Sequence, residues 1–277
     1  MSEADVIKNT INGPVTYGDI KRDLLALEIK PGMTLLVHSS LSSIGWISGG
    51  AVAVILALEE VLGPEGTLVM PAHSGDLTDP AEWSNPPVPM DWVEPIRQTM
   101  PAFDPGLTPT RGLGRIAETF RTQEGVKRSN HPHVSFAARG KKAADIIRDH
   151  SLDFGLGEGS PLAKVYEAEG WILLIGVGHE SNTSLHLAEF RAVFQGKKEI
   201  KQGAPLMIDG ERRWVELREF EDHSERDFKE IGDAYLASGG TVLAGRIGQA
   251  ESLLIPQAEL VDFAVNWMEK NRVIKED

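Results

Sequence analysis

Residues 30–40 read KPGMTLLVHSS, and this stretch decides the fold. Pro31 and Gly32 supply a turn, and Met33 to Val37, apolar but for Thr34, form a run of strand length. A strand that is apolar on both faces needs cover on both faces, as in a parallel sheet sheathed by helices. Before it, Tyr17 to Leu27 place Ile20, Leu24 and Leu27 on one helical face. After Gly49 and Gly50, AVAVILALEEVLG (51–63) predicts a helix stopped by Gly63. GTLVMPAH (66–73) then predicts a second buried strand. Strand, helix and strand in this order imply a right-handed crossover between parallel neighbours.

A third buried strand is expected over Trp171 to Val177. Helical patterns run over Arg115 to Phe120, Lys141 to Asp149 and Pro161 to Glu169, and from a cap at Asn182 or Thr183 through Phe194. Glu199 to Arg218 predicts a β-hairpin turning at Asp209-Gly210. SERDFKEIGDAYLASGG (224–240) predicts a helix closed by Gly239, TVLAGRIG (241–248) a strand and turn, and Pro256 to Lys270 a last helix. Between Ser74 and Gly112 periodicity dissolves into Pro, Asp and Trp. So long a connection inside a compact domain is usually functional. Trp83, Trp92 and Phe103 speak against a disordered linker, so a lid or substrate wall is expected. The chain reads as one α/β domain over 1–277 with a long insertion at about 74–112.

The 277 residues carry 28 Lys and Arg against 41 Asp and Glu, a net charge of −13. That opposes nucleic acid as a partner, because duplex binding needs clustered cations. It suits a cationic substrate drawn to an acidic cleft, and equally suits plain solubility. No cysteine is present, which removes disulfides, thiolate nucleophiles and acyl-cysteine intermediates. The opening MSEADVIKNT lacks a basic start and apolar run, and no stretch nears the roughly 20 apolar residues of a membrane helix. A cytoplasmic enzyme without a membrane partner is expected.

Three groups of residues carry chemistry. GLGRIA (112–117) has the form Gly-x-Gly-x-x-Ala but follows Thr108-Pro109-Thr110-Arg111 rather than a buried strand. That context is wrong for a dinucleotide fingerprint. Small residues opening a helix still expose N–H groups suited to phosphate, and Arg111 and Arg115 add charge; a plain glycine turn is the competing reading. His38-Ser39-Ser40-Leu41-Ser42-Ser43 leaves the end of the first strand, where ligands of open α/β sheets bind; a serine-rich helix cap is the alternative. No Gly-x-Ser-x-Gly elbow occurs. His186 and Glu189, three apart on one helix, share a face. A carboxylate there fixes the imidazole tautomer and makes a general base, although a purely structural pair has the same spacing. With His179 they do not form His-Glu-x-x-His, so no metal is expected. His131-Pro132-His133 reads as packing and turn.

Six segments then occur in a telling order: LLVHSSLSSIG (35–45), GTLVMPAHSG (66–75), LTPTRGLGRIAETFR (107–121), RSNHPHVSFAARG (128–140), GEGSPLAKVY (157–166) and LLIGVGHESNTSLHLAEFR (173–191). With them the chain resembles the aminoglycoside 3-N-acetyltransferases of the antibiotic N-acetyltransferase family. The resemblance implies that family's three-layer α/β/α sandwich, distinct from the common N-acetyltransferase fold. It implies acetyl-CoA as co-substrate, no metal, and a cationic amine acceptor, the 3-amino group of a 2-deoxystreptamine ring. It places the catalytic histidine at His186 and an acidic partner at Asp222 in EDHS, with Glu221 or Glu219 as alternatives. Coenzyme A contacts are implied at His38, Ser39, Ser40, Leu41 and Ser43, and at Thr110, Arg111, Gly112, Leu113 and Gly114. Asp76 and Asp79 are candidate amine contacts, and acceptor choice is expected in 74–106.

An aliphatic ammonium cannot attack a thioester until a base removes its proton. His186 takes that role, Glu189 orients it and Asp222 positions the cation. Oxyanion donors are expected among the backbone N–H groups near Ser39 to Ser43 or Gly176 to Gly178. Two other readings stay open: the same chemistry on a metabolic or nucleotide-linked amine, and a coenzyme A binder without catalysis. A homodimer is carried as an expectation.

Overall fold

The structure is a computed structural model that describes residues 2–221 and 227–272. Among these residues lie strands β1 (Thr34–Ser39), β2 (Thr67–Pro71), β3 (Lys127–Arg128), β4 (Phe136–Gly140), β5 (Trp171–Ile175), β6 (Glu199–Ile208), β7 (Glu211–Phe220), β8 (Leu243–Ile247) and β9 (Ala250–Pro256). Seven form one sheet in the order β3-β4-β2-β1-β5-β9-β8, and β6 and β7 pair separately. The three strands read from sequence, β2, β1 and β5, form its parallel centre, with Leu36 opposite both Val69 and Ile172. The flanking pairings are antiparallel, so the sheet is mixed rather than wholly parallel.

Side chains alternate across the pleat. Leu35, Val37, Leu68, Met70, Leu173 and Ile175 join one apolar core with helices Tyr17–Ala26, Gly50–Leu62 and Gly114–Arg121. Leu36, Val69, Ile172 and Leu174 join a second core with Pro161–Glu167, Ser184–Arg191, Phe228–Ala237 and Gln257–Asn271. The result is a three-layer α/β/α sandwich. Each fully buried leucine or valine of these strands contributes about 2 kcal/mol. Caps set where the outer helices begin. Thr16 and Asp19 exchange bonds at the start of Tyr17–Ala26, and Ser160 accepts from the Leu162 N–H ahead of its own helix. Such caps are worth about 1 kcal/mol each.

The 74–112 segment is more regular than its sequence suggests. It holds two short 3₁₀ turns and a helix, Met90–Thr99, with Pro95 inside. Asp79 caps the second turn and accepts from Nε and Nη2 of the Arg97 guanidinium at 2.8–3.0 Å. Leu77, Met100 and Phe103 pack with Leu206 and Trp214 of the β6–β7 hairpin into a third, separate apolar cluster. The Phe103 N–H donates to the Pro205 carbonyl at 2.9 Å, tying the segment to the hairpin backbone. The hairpin turns at Asp209 (φ 52°) and Gly210 (φ 81°), the paired positive angles that match strand twist. Among the described residues no helix is long and apolar enough to cross a membrane.

Candidate active site

Because side chains alternate, His38 shares a face of β1 with Leu36, the face covered by helix Ser184–Arg191. The strand then leaves the sheet. The Ser40 N–H still reaches the Ile175 carbonyl at 2.9 Å, and Leu41–Ile44 makes one helical turn. Ser43 Oγ donates to Ser40 Oγ at 2.8 Å and lies 3.3 Å from the Gly176 carbonyl. Gly176 sits at φ 63°, and a Cβ there would collide with the Ser43 side chain.

His38, Ser39, Ser40 and Leu41 line a cavity of about 610 Å³, faced by Gly112, Leu113 and Gly114 with Arg115. Gly112 (φ 74°) and Gly114 (φ 78°) turn the chain into a helix, and a Cβ on either would meet no atom within 4 Å. The loop backbone therefore faces open space at a helix N-terminus, which favours anions. Val37, Trp46, Ile47 and Met70 supply apolar wall. Ser43, Thr110 and Arg111 do not line this cavity. Thr110 gives its N–H and hydroxyl to Glu118 Oε2 at 2.9 and 2.7 Å, and Arg111 pairs with Asp76 while its N–H holds the His73 carbonyl. These residues shape the loop. Helix Glu3–Asn9, which sequence reading passed over, closes one side through Glu3 and Val6. Glu3 accepts from the Trp46 indole at 3.2 Å.

A second cavity of about 260 Å³ is lined by His186, Glu189, Glu219 and Glu221 with Phe190, Phe220 and Lys197. Thr183 lines both cavities, and its Oγ1 lies 3.3 Å from His38 Nε2. Thr183 directly precedes helix Ser184–Arg191, which carries His186 and Glu189 on one face as their spacing requires. His186 Nδ1 is 2.8 Å from Glu189 Oε2, and Phe228 packs edge-on to the imidazole at 5.0 Å. With the Nδ1 proton donated to Glu189, a neutral imidazole keeps its lone pair on Nε2.

Sequence reading missed what stands behind Glu189. Its other oxygen receives Arg272 Nη1 at 2.6 Å, and Arg272 pairs with Asp227 through two bonds of 2.7 Å. No local pattern could reveal this, since the three residues come from three segments far apart in sequence.

Burial drives His38 down to about 3, and the neighbouring His186 pushes the same way; His73, on the second cavity's wall, is held at about 3 by the same causes. Both rings are uncharged at neutral pH. Burial raises the Glu219 carboxyl, opposed by N–H bonds from Phe220 and Gly155, each 3.0 Å, and by His186.

Several expected contacts fall elsewhere. Asp76 and Asp79 line neither cavity, being paired with Arg111 and Arg97. Among the described residues none of 74–106 walls the second cavity. The hairpin residues Gln202, Glu219 and Phe220 do so, and the insertion braces the hairpin at its far end. Asp222 lies outside the described residues. The Gly176 and Gly178 N–H groups are taken by the Glu251 carbonyl (2.8 Å) and the Glu180 carboxylate (2.9 Å), so they are not oxyanion donors. In the Ser39–Ser43 turn the free donors by position are those opening the Leu41–Ile44 helix.

A family model described as aminoglycoside 3-N-acetyltransferase matches residues 36–269. The chain is 50% identical over 259 residues to the SPbeta prophage-derived aminoglycoside N(3')-acetyltransferase-like protein YokD of Bacillus subtilis (strain 168), covering 93% of this chain and 94% of that one. The crystal structure of YokD is similar with a TM-score of 0.93 at 48% identity, covering 97% and 98% of the two chains. AAC-IIIb, solved in a binary complex with CoASH, is similar with a TM-score of 0.84 at 34% identity, covering 96% of this chain and 100% of that one. The matched stretch contains the serine turn, the glycine loop and the His186–Glu189 pair. Fold and sequence therefore agree: the chain belongs to the aminoglycoside 3-N-acetyltransferase family.

Proposed function

We propose that the protein is an acetyltransferase that moves the acetyl group of acetyl-CoA onto the 3-amino group of an aminoglycoside's 2-deoxystreptamine ring. The observation that carries this reading is the meeting of the two cavities at His38 and Thr183, with the His186–Glu189 pair facing the smaller, acidic one. The larger cavity suits coenzyme A: Ser40, Ser42 and the 112–114 backbone offer donors, Arg115 a cation and Trp46 and Met70 apolar surface. Bound there, acetyl-CoA supplies an activated acetyl thioester.

His186 Nε2 takes the proton of the acceptor ammonium, leaving a nucleophilic amine. Glu189 holds the tautomer and stabilises the imidazolium that results. Glu219 and Glu221 hold other ammonium groups of the acceptor. With no cysteine for an acyl-enzyme, transfer is read as direct: the amine nitrogen attacks the thioester carbon, the C–S bond breaks, and the coenzyme A thiolate leaves with the proton that the nitrogen gives up. The charge of −13 supports a polycationic acceptor and opposes a nucleic-acid partner. A homodimer in the cytoplasm, each chain one working domain, completes the reading; light scattering on the purified protein checks the assembly.

Thiol release from acetyl-CoA, measured across a panel of aminoglycosides and simple amines, tests the reaction. Turnover with aminoglycosides, and a 3-N-acetyl product by NMR, is expected. Turnover confined to other amines would move the acceptor to metabolism, and no turnover with any amine would leave a coenzyme A binder.

A further inference from the structure

The base proposed above is held by a longer chain of charges than a pair. Glu189 divides its oxygens, giving Oε2 to His186 Nδ1 (2.8 Å) and Oε1 to Arg272 Nη1 (2.6 Å). Arg272 divides its guanidinium in the same way, using Nε and Nη2 for Asp227 (2.7 Å each). The Arg272 side chain is only 10% exposed, and those of Glu189 and Asp227 are 11% and 15%. Charges so placed are weakly screened. Burial opposes the Arg272 charge, yet Asp227 and Glu189 more than offset it. The guanidinium also lies over the Phe194 ring at 4.9 Å, which fixes its plane. Neither Arg272 nor Asp227 lines either of the two cavities, so both are read as acting through Glu189.

We infer that Arg272 and Asp227 are positioning residues that set the orientation and basicity of His186 through Glu189. This rests on the reading of His186 as the base. Arg272 follows the helix Gln257–Asn271 and Asp227 precedes the helix Phe228–Ala237. Three segments of the second helical layer thus meet at one carboxylate: Asp227 holds Arg272, Arg272 holds Oε1, and a turn of the carboxylate moves Oε2, the oxygen that faces the imidazole. The electrostatic sense follows from Coulomb's law. The guanidinium draws on the Glu189 charge and disfavours the imidazolium, while Asp227 partly cancels that effect. Among the described residues the other titratable groups facing this centre are Glu219 from β7, Glu221 just after it, the buried His133, the neutral His38 from β1, the neutral His73 after β2, and Lys197, which acts on Glu189 from the segment after helix Ser184–Arg191. None of these is bonded to Glu189 Oε1, so changes at 272 and 227 report on the relay.

The test is an NMR titration of the His186 imidazole in the protein without substrates, assigned by comparison with His186→Gln. Arg272→Met is expected to raise the titration midpoint by about half a unit or more, and Asp227→Asn to lower it by a similar amount. Arg272→Lys keeps the charge and is expected to restore the midpoint, while the loss of the planar fork still lowers kcat. With acetyl-CoA and acceptor supplied, Arg272→Met should lose about tenfold in kcat, with KM for acetyl-CoA within about twofold of the parent. Should Arg272→Met not fold, Asp227→Asn decides alone. A midpoint unmoved in the folded variants, or moved in the same direction by both, overturns the inference. Absence of acetyl transfer in the parent protein overturns the reading of the reaction instead, because the titration is read without either substrate.

Discussion

Thr183 Oγ1 stands 3.3 Å from His38 Nε2, where the two cavities share a residue. His38 belongs to the sheet, and Thr183 begins the helix that carries His186. The contact therefore sets the catalytic helix against the strand that leads into the serine turn. His38 is neutral, so what passes between them is a hydrogen bond without net charge. A bond of this kind is worth about 1 kcal/mol.

Thr183→Val removes the hydroxyl and keeps the shape. Turnover should fall about three- to tenfold, in line with one neutral hydrogen bond, and Thr183→Ser should stay within about twofold. Steady-state thiol release with both variants checks this; equal loss in valine and serine variants would assign the effect to packing.

His186→Ala should lower kcat by about 100-fold or more, the lower range for loss of a general base. Coenzyme A affinity, measured by calorimetry, should change little, because the imidazole lies on the wall of the other cavity. Near-parent turnover in the folded variant would remove His186 from the mechanism.

Glu219→Gln should raise KM for a polycationic acceptor about tenfold and leave KM for acetyl-CoA unchanged. The carboxylate lines the second cavity and accepts from Gly155 and Phe220 through different oxygens, so the amide keeps the shape and one of these bonds. Added salt should weaken a multiply charged acceptor more than a monoamine, and the difference should shrink in this variant. Identical salt responses for the two acceptors would assign the acidity to solubility.

Acid should destabilise the fold well above the carboxylate range. His38 and His150 are buried, and burial holds them at about 3 and about 4, against an ordinary value of 6.5. Below pH 6.5 the unfolded chain takes up protons at these rings and the folded chain does not, so stability falls as pH drops towards 4 and is flat above 6.5. At pH 5.5 the loss is about 1 kcal/mol for each ring. Urea unfolding at pH 7.5 and 5.5 measures it, and equal free energies at the two values would contradict the assignment.

Legibility from sequence follows from what each residue's role depends on. β1, β2 and β5 announce themselves because Leu35 to Val37, Leu68 to Met70 and Ile172 to Ile175 are apolar on both faces. β4 hides because Ala137 and Ala138 lack the bulk that marks a strand, and β3 has only two residues. β9 merges by composition with the helix that follows it. Pro95 masks helix Met90–Thr99, so the insertion reads as irregular. His186 and Glu189 are legible because three residues on a helix fix a shared face. Arg272 and Asp227 are not, because their meeting with Glu189 depends on three packed segments. Asp79 misled by its charge: an acidic residue in a long loop looks available until Arg97 is found across from it.

The hairpin that walls the second cavity carries its own small core, Leu206 and Trp214 against Leu77, Met100 and Phe103, apart from the two cores that flank the sheet. Replacements at Gln202 therefore alter the second cavity's wall while the sheet, its helices and the serine turn keep their packing, unlike those at Phe220, whose ring packs on Phe190 of the helix that carries His186. Mutational drift in what the enzyme accepts is thereby uncoupled from drift in whether it folds, and a lineage can explore new amines from an unchanged scaffold.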